Sequence, residues 1–420
     1  MRKGKWIALL LAAMLLLTAC STAGKPAGTQ TPGQTVAPPT PFKLGLLIPL
    51  TGVFAAPGKY MQEGVQLLLQ ESDNKFAGRP VEVVTADSQG NPQAALTQAR
   101  KLVEQDKVDA IIGPLSAAEG NALVQYLDGQ QMPAVYPIVS SDDLTQRTIP
   151  KYIVRTGWTS SQTTMPFGEY AYKTLGYKKV ATISYDFSFG WESVGGFVQT
   201  FQEAGGKVVK ELWPPLNETN YQPYLSQIPK DVDAVFVSFS GSAAIQFVQQ
   251  YKQFGLGKPL IAQGNTVDES TLQATGPSAV GVVTPLHYSA ALDNPANKKF
   301  VADYEKAFGH GPAYYAEGSY VGAMVLKKAL ESLNGKSDDH AALVKAMKAV
   351  NLTDAPRGPV KMDEYGNPIQ NVYIRKVEDV GGKLQNTVIY TYPSVSQFWS
   401  YDPKTFLAHP VFSRSYPTVK

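Results

Sequence analysis

Cysteine is almost absent from this 420-residue chain: the single thiol is Cys20. An intrachain disulfide is therefore excluded, and with Cys20 engaged elsewhere no thiol remains for nucleophilic or metal chemistry. Histidine is scarce as well. His287, His310, His340 and His409 stand far apart, with no pair at metal-ligand spacing. No His-Glu-x-x-His motif, Walker A loop or Gly-x-Ser-x-Gly elbow is present. In Gly190-Trp191-Glu192-Ser193-Val194-Gly195 the spacing ahead of Ser193 is one residue too long. No catalytic residue, metal or cofactor is expected, and the chain is not expected to be an enzyme. A membrane-spanning run is lacking too. The stretch from Trp6 to Leu17 is about a dozen residues, against the roughly 20 that a spanning helix needs. Charge of one sign is also missing. Arg2, Lys3 and Lys5 account for the formal +3, and the remainder carries 35 basic and 35 acidic side chains. That balance argues against a nucleic-acid partner.

What is present begins at the N-terminus. Three basic residues, a short apolar run and Leu17-Thr18-Ala19-Cys20 have the form of a secretory signal peptide over residues 1–19. Residues 20–41 follow as a stalk of Pro, Gly, Thr and Ala with one charge, Lys25. It has too few large apolar side chains to offset its ordering entropy by burial. From Phe42 the pattern changes. Hydrophobic residues make up 44% of the chain, enough for a sizeable core. Strand-like runs at 43–50, 81–86, 109–112, 133–137, 179–185, 207–212, 234–238 and 259–262 alternate with helical stretches, the first at 60–72. Such alternation predicts parallel sheets covered by helices on both faces. Later, 295–308, 315–333 and 341–350 read as helices. Residues 360–362 and 372–377, around the turn 363–367, read as an antiparallel hairpin.

The residues also carry a family resemblance. Leu17-Thr18-Ala19-Cys20 resembles the bacterial lipobox, in which the cysteine is acylated; an ordinary signal peptide is the alternative. Leu46-Leu47-Ile48-Pro49-Leu50-Thr51-Gly52, Asn91-Pro92, Ile111-Ile112-Gly113-Pro114-Leu115-Ser116, Tyr152-Ile153-Val154-Arg155-Thr156, Asp186-Phe187-Ser188-Phe189-Gly190 and Leu292-Asp293-Asn294-Pro295 follow in order. Together they resemble the branched-chain amino acid type of ABC-transporter solute-binding proteins over most of 42–392. The resemblance implies a type I periplasmic binding protein: α/β, with two doubly wound parallel-sheet lobes joined by three crossovers. Lobe one is expected at 42–155 with 288–351, and lobe two at 156–286 with 354–392. The crossovers are expected near 156–159, 285–289 and 353–359, and 393–420 forms an aromatic extension that packs on the body. Implied partners are a small-molecule ligand and membrane permease subunits. The protein is expected as a lipid-anchored monomer outside the cytoplasm, in the periplasm or on the outer face. A regulatory or sensory lipoprotein on the same fold is a further alternative.

The resemblance also assigns site positions. Ser116 and Ala117 open a helix whose N–H groups suit a ligand carboxylate, although Ser116 has an equal reading as a plain helix cap. Ala117 stands where a second hydroxyl is expected. Val139 and Ser140 match a cleft-lining backbone segment. Phe189 matches an aromatic placed against the ligand, with Phe187 and Trp191 packing inside the lobe. Tyr314 and Tyr315 match an aromatic wall, one facing the cleft and the other packed. Asn265 matches a position where amino acid binders carry an acid for the ligand's ammonium, and an amide offers no counter-charge; Asp268 is the alternative if the register differs. These features point to a carboxylate-bearing ligand, aromatic or apolar, with a branched-chain amino acid or amide as the alternative.

Overall fold

The computed structural model describes residues 40–419. The expected signal peptide, Cys20 and nearly all of the expected stalk lie outside the described residues.

The chain enters on β1 (Phe42–Ile48), buried along almost its whole length, as a parallel strand covered on both faces must be. Helix α1 (Ala55–Glu71) follows and begins five residues before the expected start. Then come β2 (Lys75–Phe76), β3 (Arg79–Asp87) and α2 (Pro92–Arg100). Asn91 caps α2 by accepting from Gln93 N at 2.9 Å, and Pro92 occupies the first turn, where its missing N–H costs nothing. Strand β4 (Ala110–Ile112), α3 (Ala117–Gly129), β5 (Ala134–Tyr136), the short α4 (Asp143–Gln146) and β6 (Ile153–Arg155) complete this part. The sheet order is β2-β3-β1-β4-β5-β6, parallel except for β2.

The chain then crosses to the second lobe through α5 (Ser160–Lys173), a helix the sequence reading did not mark. Strand β7 (Lys179–Ser184), α6 (Ser188–Glu203), β8 (Lys207–Leu212), the single turn α7 (Gln222–Leu225), β9 (Ala234–Ser238), α8 (Gly241–Phe254), β10 (Leu260–Ala262), α9 (Glu269–Thr275) and β11 (Val283–Leu286) follow. After β11 the chain returns to lobe one as α10 (Pro295–Phe308), α11 (Tyr314–Ser332) and α12 (His340–Lys348). Helix α11 packs on α1 so closely that a Cβ at Gly64 would sit 2.0 Å from Ala316 O. The third crossing follows α12. Strand β12 (Asn351–Leu352) pairs with β13 (Val360–Met362), which pairs in turn with β14 (Pro368–Val380). A hairpin is present around the expected turn, but Lys361 and Met362 pair with Ile369 and Pro368, whereas 372–377, expected as the second arm, pair with β11 and β15 (Lys383–Val395). The longer hairpin of β14 with β15 was not foreseen. The second sheet runs β12-β13-β14-β11-β10-β9-β7-β8, with β11 through β8 parallel and β14 antiparallel to β11.

Residues beyond β15, including α13 (Pro403–Leu407), lie against lobe two. Phe398, Phe406 and Phe412 form a buried cluster with Met165 of α5. Phe412 lies over Gly195 of α6, where a Cβ would come within 2.5 Å of its ring. The same segment reaches lobe one: Thr145 Oγ1 donates to Gln397 Oε1 at 2.9 Å, and Arg147 Nη2 donates to His409 O at 2.9 Å. Removing a buried phenylalanine costs about 3–5 kcal/mol where the site cannot collapse. Phe412→Ala is therefore expected to lower unfolding stability by about 3 kcal/mol in urea titration. An unchanged midpoint would mean that the C-terminal segment does not contribute to the core.

Candidate functional site

Between the sheets lies a cleft with an empty volume of about 340 Å³, including space open to solvent. Its walls come from the C-terminal ends of parallel strands, where open α/β sheets place their crevices. In lobe one the order β3-β1-β4 makes β1/β4 the switch point, and the cleft takes Phe54 from after β1 and Leu115, Ser116 and Ala117 from after β4. In lobe two β7 stands between β8 and β9, and the cleft takes Phe187 and Phe189 from after β7 and Ser240 from after β9. Ile138, Ser140, Trp158, Asn265, Tyr314 and Tyr315 complete the lining. Among the described residues no charged side chain lines it. The lips meet: a Cβ on Gly241, which has φ +60°, would lie 2.4 Å from Val53 O across the cleft.

Seven of the eight expected ligand-site residues thus converge, and Val139 does not. Its side chain turns away and packs under α3, where a Cβ on Gly120 would lie 2.4 Å from Val139 Cγ1. In the bend that follows β5, Ile138 and Ser140 line the cleft while Val139 between them packs toward α3. Ser116 is a true cap. Its Oγ accepts from Glu119 N at 3.2 Å, and its own N–H donates to Glu119 Oε2 at 2.9 Å. That capping box consumes the Ser116 amide. The first-turn N–H groups of Ala117 and Ala118 have no intrahelical acceptor and carry the positive end of the helix dipole.

Both Tyr314 and Tyr315 line the cleft, rather than one, with ring centroids 4.0 Å apart. Burial holds both phenols well above their ordinary range, so they remain neutral donors. Phe187 lines the cleft beside Phe189, 6.2 Å between centroids, rather than packing inside the lobe. Trp191 is half-buried outside the lining, and its Nε1 donates to Asp186 Oδ1 at 3.0 Å. Asn265 sits in a short turn over Gly264–Val267 and is 3% exposed. Asp268 does not line the cleft. It caps α9, accepting from Ser270 N at 3.2 Å and Ser270 Oγ at 2.5 Å. Burial first and Glu269 second push its carboxyl up to about 8. It is largely protonated at neutral pH and supplies no full counter-charge.

Sequence reasoning missed Phe54, Leu115, Ile138, Ser240 and, the largest of them, Trp158. It sits in the first crossover, is 1% exposed, and meets Tyr314 edge-on with centroids 6.2 Å apart. Arg155 Nη1 holds the adjoining backbone by donating to Trp158 O at 3.1 Å. An aromatic inside an expected crossover was the available signal.

Comparison with known proteins agrees with this geometry. Residues 41–383 match the family model described as periplasmic binding protein. A Brucella melitensis relative named Leu/Ile/Val-binding protein homolog 6 is 33% identical over 362 residues, covering 83% of this chain and 91% of the relative. A solute-binding protein of an ABC transporter from Rhodopseudomonas palustris BisB5, solved in complex with 3,4-dihydroxybenzoic acid, superposes with a TM-score of 0.80. It is 34% identical, over 85% of this chain and 98% of that one. A leucine-binding protein from Thermotoga maritima superposes with a TM-score of 0.75 at 25% identity, over 84% of this chain and 99% of that one. The chain belongs to the periplasmic binding protein family, as an ABC-transporter substrate-binding protein of the leucine-binding-protein class. Its relatives are transport proteins rather than enzymes, and the family works outside the cytoplasm. Among the described residues no helix is long and apolar enough to cross a membrane.

Asp268 gives a pH prediction. A carboxyl whose folded pKa is raised binds its proton more tightly when folded. Its stabilisation is complete below the unfolded value near ~4 and is lost as pH rises through about 8. His287, held neutral by burial, titrates only in the unfolded chain near ~6.5 and adds no slope above pH 7. The melting temperature is expected to fall between about pH 7 and 8.5, and Asp268→Asn to flatten that fall. Equal slopes in both proteins by scanning calorimetry would refute the assignment.

Proposed function

We propose that this chain is the solute-binding lipoprotein of an ABC importer, capturing an aromatic or apolar carboxylate between its lobes by hinge closure. The lobes on this reading are 42–155 with 288–351 and 156–286 with 354–392. One observation carries the ligand reading: a cleft walled by Phe54, Trp158, Phe187, Phe189, Tyr314 and Tyr315, with a helix N-terminus and no charged side chain. The N–H groups of Ala117 and Ala118, with the Ser116 and Ser140 hydroxyls, hold the carboxylate. The rings of Phe189, Tyr314 and Tyr315 cover the apolar body. Asn265 replaces the acid that an ammonium would need, and desolvating an ammonium without a counter-charge is costly. The benzoate-derivative ligand of the Rhodopseudomonas relative supports this choice over the leucine named for the Thermotoga one. The protein delivers its solute to permease subunits as a monomer tethered through Cys20.

Calorimetry on the mature protein tests the ligand. Benzoate-like acids are expected to bind, and Phe189→Ala to weaken them by roughly tenfold through lost ring contact and burial. Asn265→Asp is expected to repel the carboxylate. Tight binding of leucine, isoleucine or valine with no response to benzoate-like acids would overturn the ligand while leaving the family unchanged.

Cys20→Ser tests the anchor. The variant is expected to leave the membrane fraction with soluble binding intact, and continued membrane association would refute lipidation.

A further inference from the structure

Two polar atoms on residues that line this cleft are left without partners, and they have opposite characters. Trp158 Nε1–H is a donor and can never accept; it is fully buried and finds no acceptor. His287, 5.7 Å away between ring centroids, does not accept from it. Asn265 Oδ1 is an acceptor, also fully buried and unpartnered, while the same side chain hydrogen-bonds the Tyr315 hydroxyl. The serine hydroxyls of the lining rotate and can donate or accept, so they impose no such demand. An indole N–H and an amide oxygen do. Buried polar groups are normally paired, and two orphans in the lining of one cleft describe what the occupant must bring.

We infer that the ligand is an aromatic carboxylate bearing at least one ring hydroxyl, read by Trp158 Nε1 as donor and Asn265 Oδ1 as acceptor. This rests on the aromatic-carboxylate reading above and narrows it. A hydroxyl both accepts and donates, so it can answer both atoms. Unsubstituted benzoate, with its carboxylate held at the helix N-terminus, has nothing left to answer either atom. A leucine ammonium has only donors, so it would leave Trp158 unpaired and gain no counter-charge from the lining. Trp158 and Asn265 are then specificity determinants. The carboxylate and ring contacts are common to every aromatic acid, whereas these two atoms separate hydroxylated rings from bare ones. A site with buried groups built to bond a hydroxyl rejects the analogue lacking it, because binding leaves those groups unpaired. The location fits coupling to closure as well. Trp158 belongs to the first crossover and Asn265 to lobe two, so one hydroxyl would touch the hinge and the moving wall together.

The test measures dissociation constants of benzoate, 3-hydroxybenzoate, 4-hydroxybenzoate and 3,4-dihydroxybenzoate for the mature protein. The same series is run on Trp158→Phe, which keeps an aromatic ring without the N–H, and on Asn265→Leu. The readout is the ratio of benzoate to hydroxybenzoate affinity, in which any general damage to the site cancels. In the unaltered protein at least one hydroxylated acid is expected to bind about tenfold to a hundredfold tighter than benzoate. Each substitution is expected to reduce that ratio toward one. Because the variants alter different elements, misfolding of one, seen by circular dichroism, leaves the other decisive. Should benzoate bind as tightly as every hydroxylated acid, this inference falls while the aromatic-carboxylate reading stands. A preference that survives both substitutions would also overturn it. Failure of all four acids to bind would remove the parent reading and this one together.

Discussion

The crossings between the two lobes are anchored by one buried ion pair. Arg357 and Glu317 are both fully buried; Arg357 Nε donates to Glu317 Oε1 at 2.9 Å, and Nη2 lies 2.7 Å from Oε2. The guanidinium does more than neutralise the acid. Nη1 donates to Thr156 O at 3.3 Å in the first crossover and to Gln370 Oε1 at 3.0 Å, and Gln370 Nε2 donates to Gly157 O at 2.7 Å. Glu317 belongs to α11 of lobe one, Thr156 to the first crossing and Gln370 to β14. One cation therefore ties together α11, the first crossing and β14. Breaking such a pair by removing one partner costs about 3–5 kcal/mol, because the remaining charge is stranded in low dielectric.

Irregular backbone in a protein interior needs donors for its carbonyls, and arginines supply them at the other crossings too. Arg375 donates to Tyr288 O at 2.8 Å and Gly264 O at 2.7 Å; Arg155 donates to Trp158 O and Ser141 O. The planar five-donor fork suits this task in a way that a lysine ammonium does not. Because the arginines hold the crossings from behind, the cleft itself can be free of charge. Acids close to it are also withdrawn: Glu119 closes a capping box, and Asp268 caps α9 with its carboxyl pushed up by burial. What faces the interior is aromatic surface, hydroxyls and a helix N-terminus.

Much of this was legible in the chain itself. Continuous apolar runs such as Leu44 to Ile48 specify covered parallel strands, and their alternation with amphipathic stretches determined the α/β class. Asn91-Pro92 and Ser116 marked helix starts because capping chemistry is local. Most of the cleft positions were locatable for the same reason: they follow strand ends, and strand ends can be counted. The helix over Ser160–Lys173 escaped because it opens with polar Ser160, Ser161, Gln162, Thr163 and Thr164 and contains Pro166, all poor helix signals, yet these residues are buried by tertiary packing.

Tertiary structure alone decided the directions. Whether Val139 faced cleft or core was set by the path of the bend that follows β5, which no composition reveals. Whether Asp268 or Asn265 reached the cavity depended on a three-residue offset, and one capped a helix while the other did not. The Arg357–Glu317 pair spans 40 residues of sequence, and neither partner carries a local motif that would announce it. The sequence by itself thus determined which elements form and in what order, because propensity, capping and periodicity act over a few residues. Which side chains meet, which atoms are left unpaired in the cleft, and which charges are buried together were decided by packing between segments far apart in the chain.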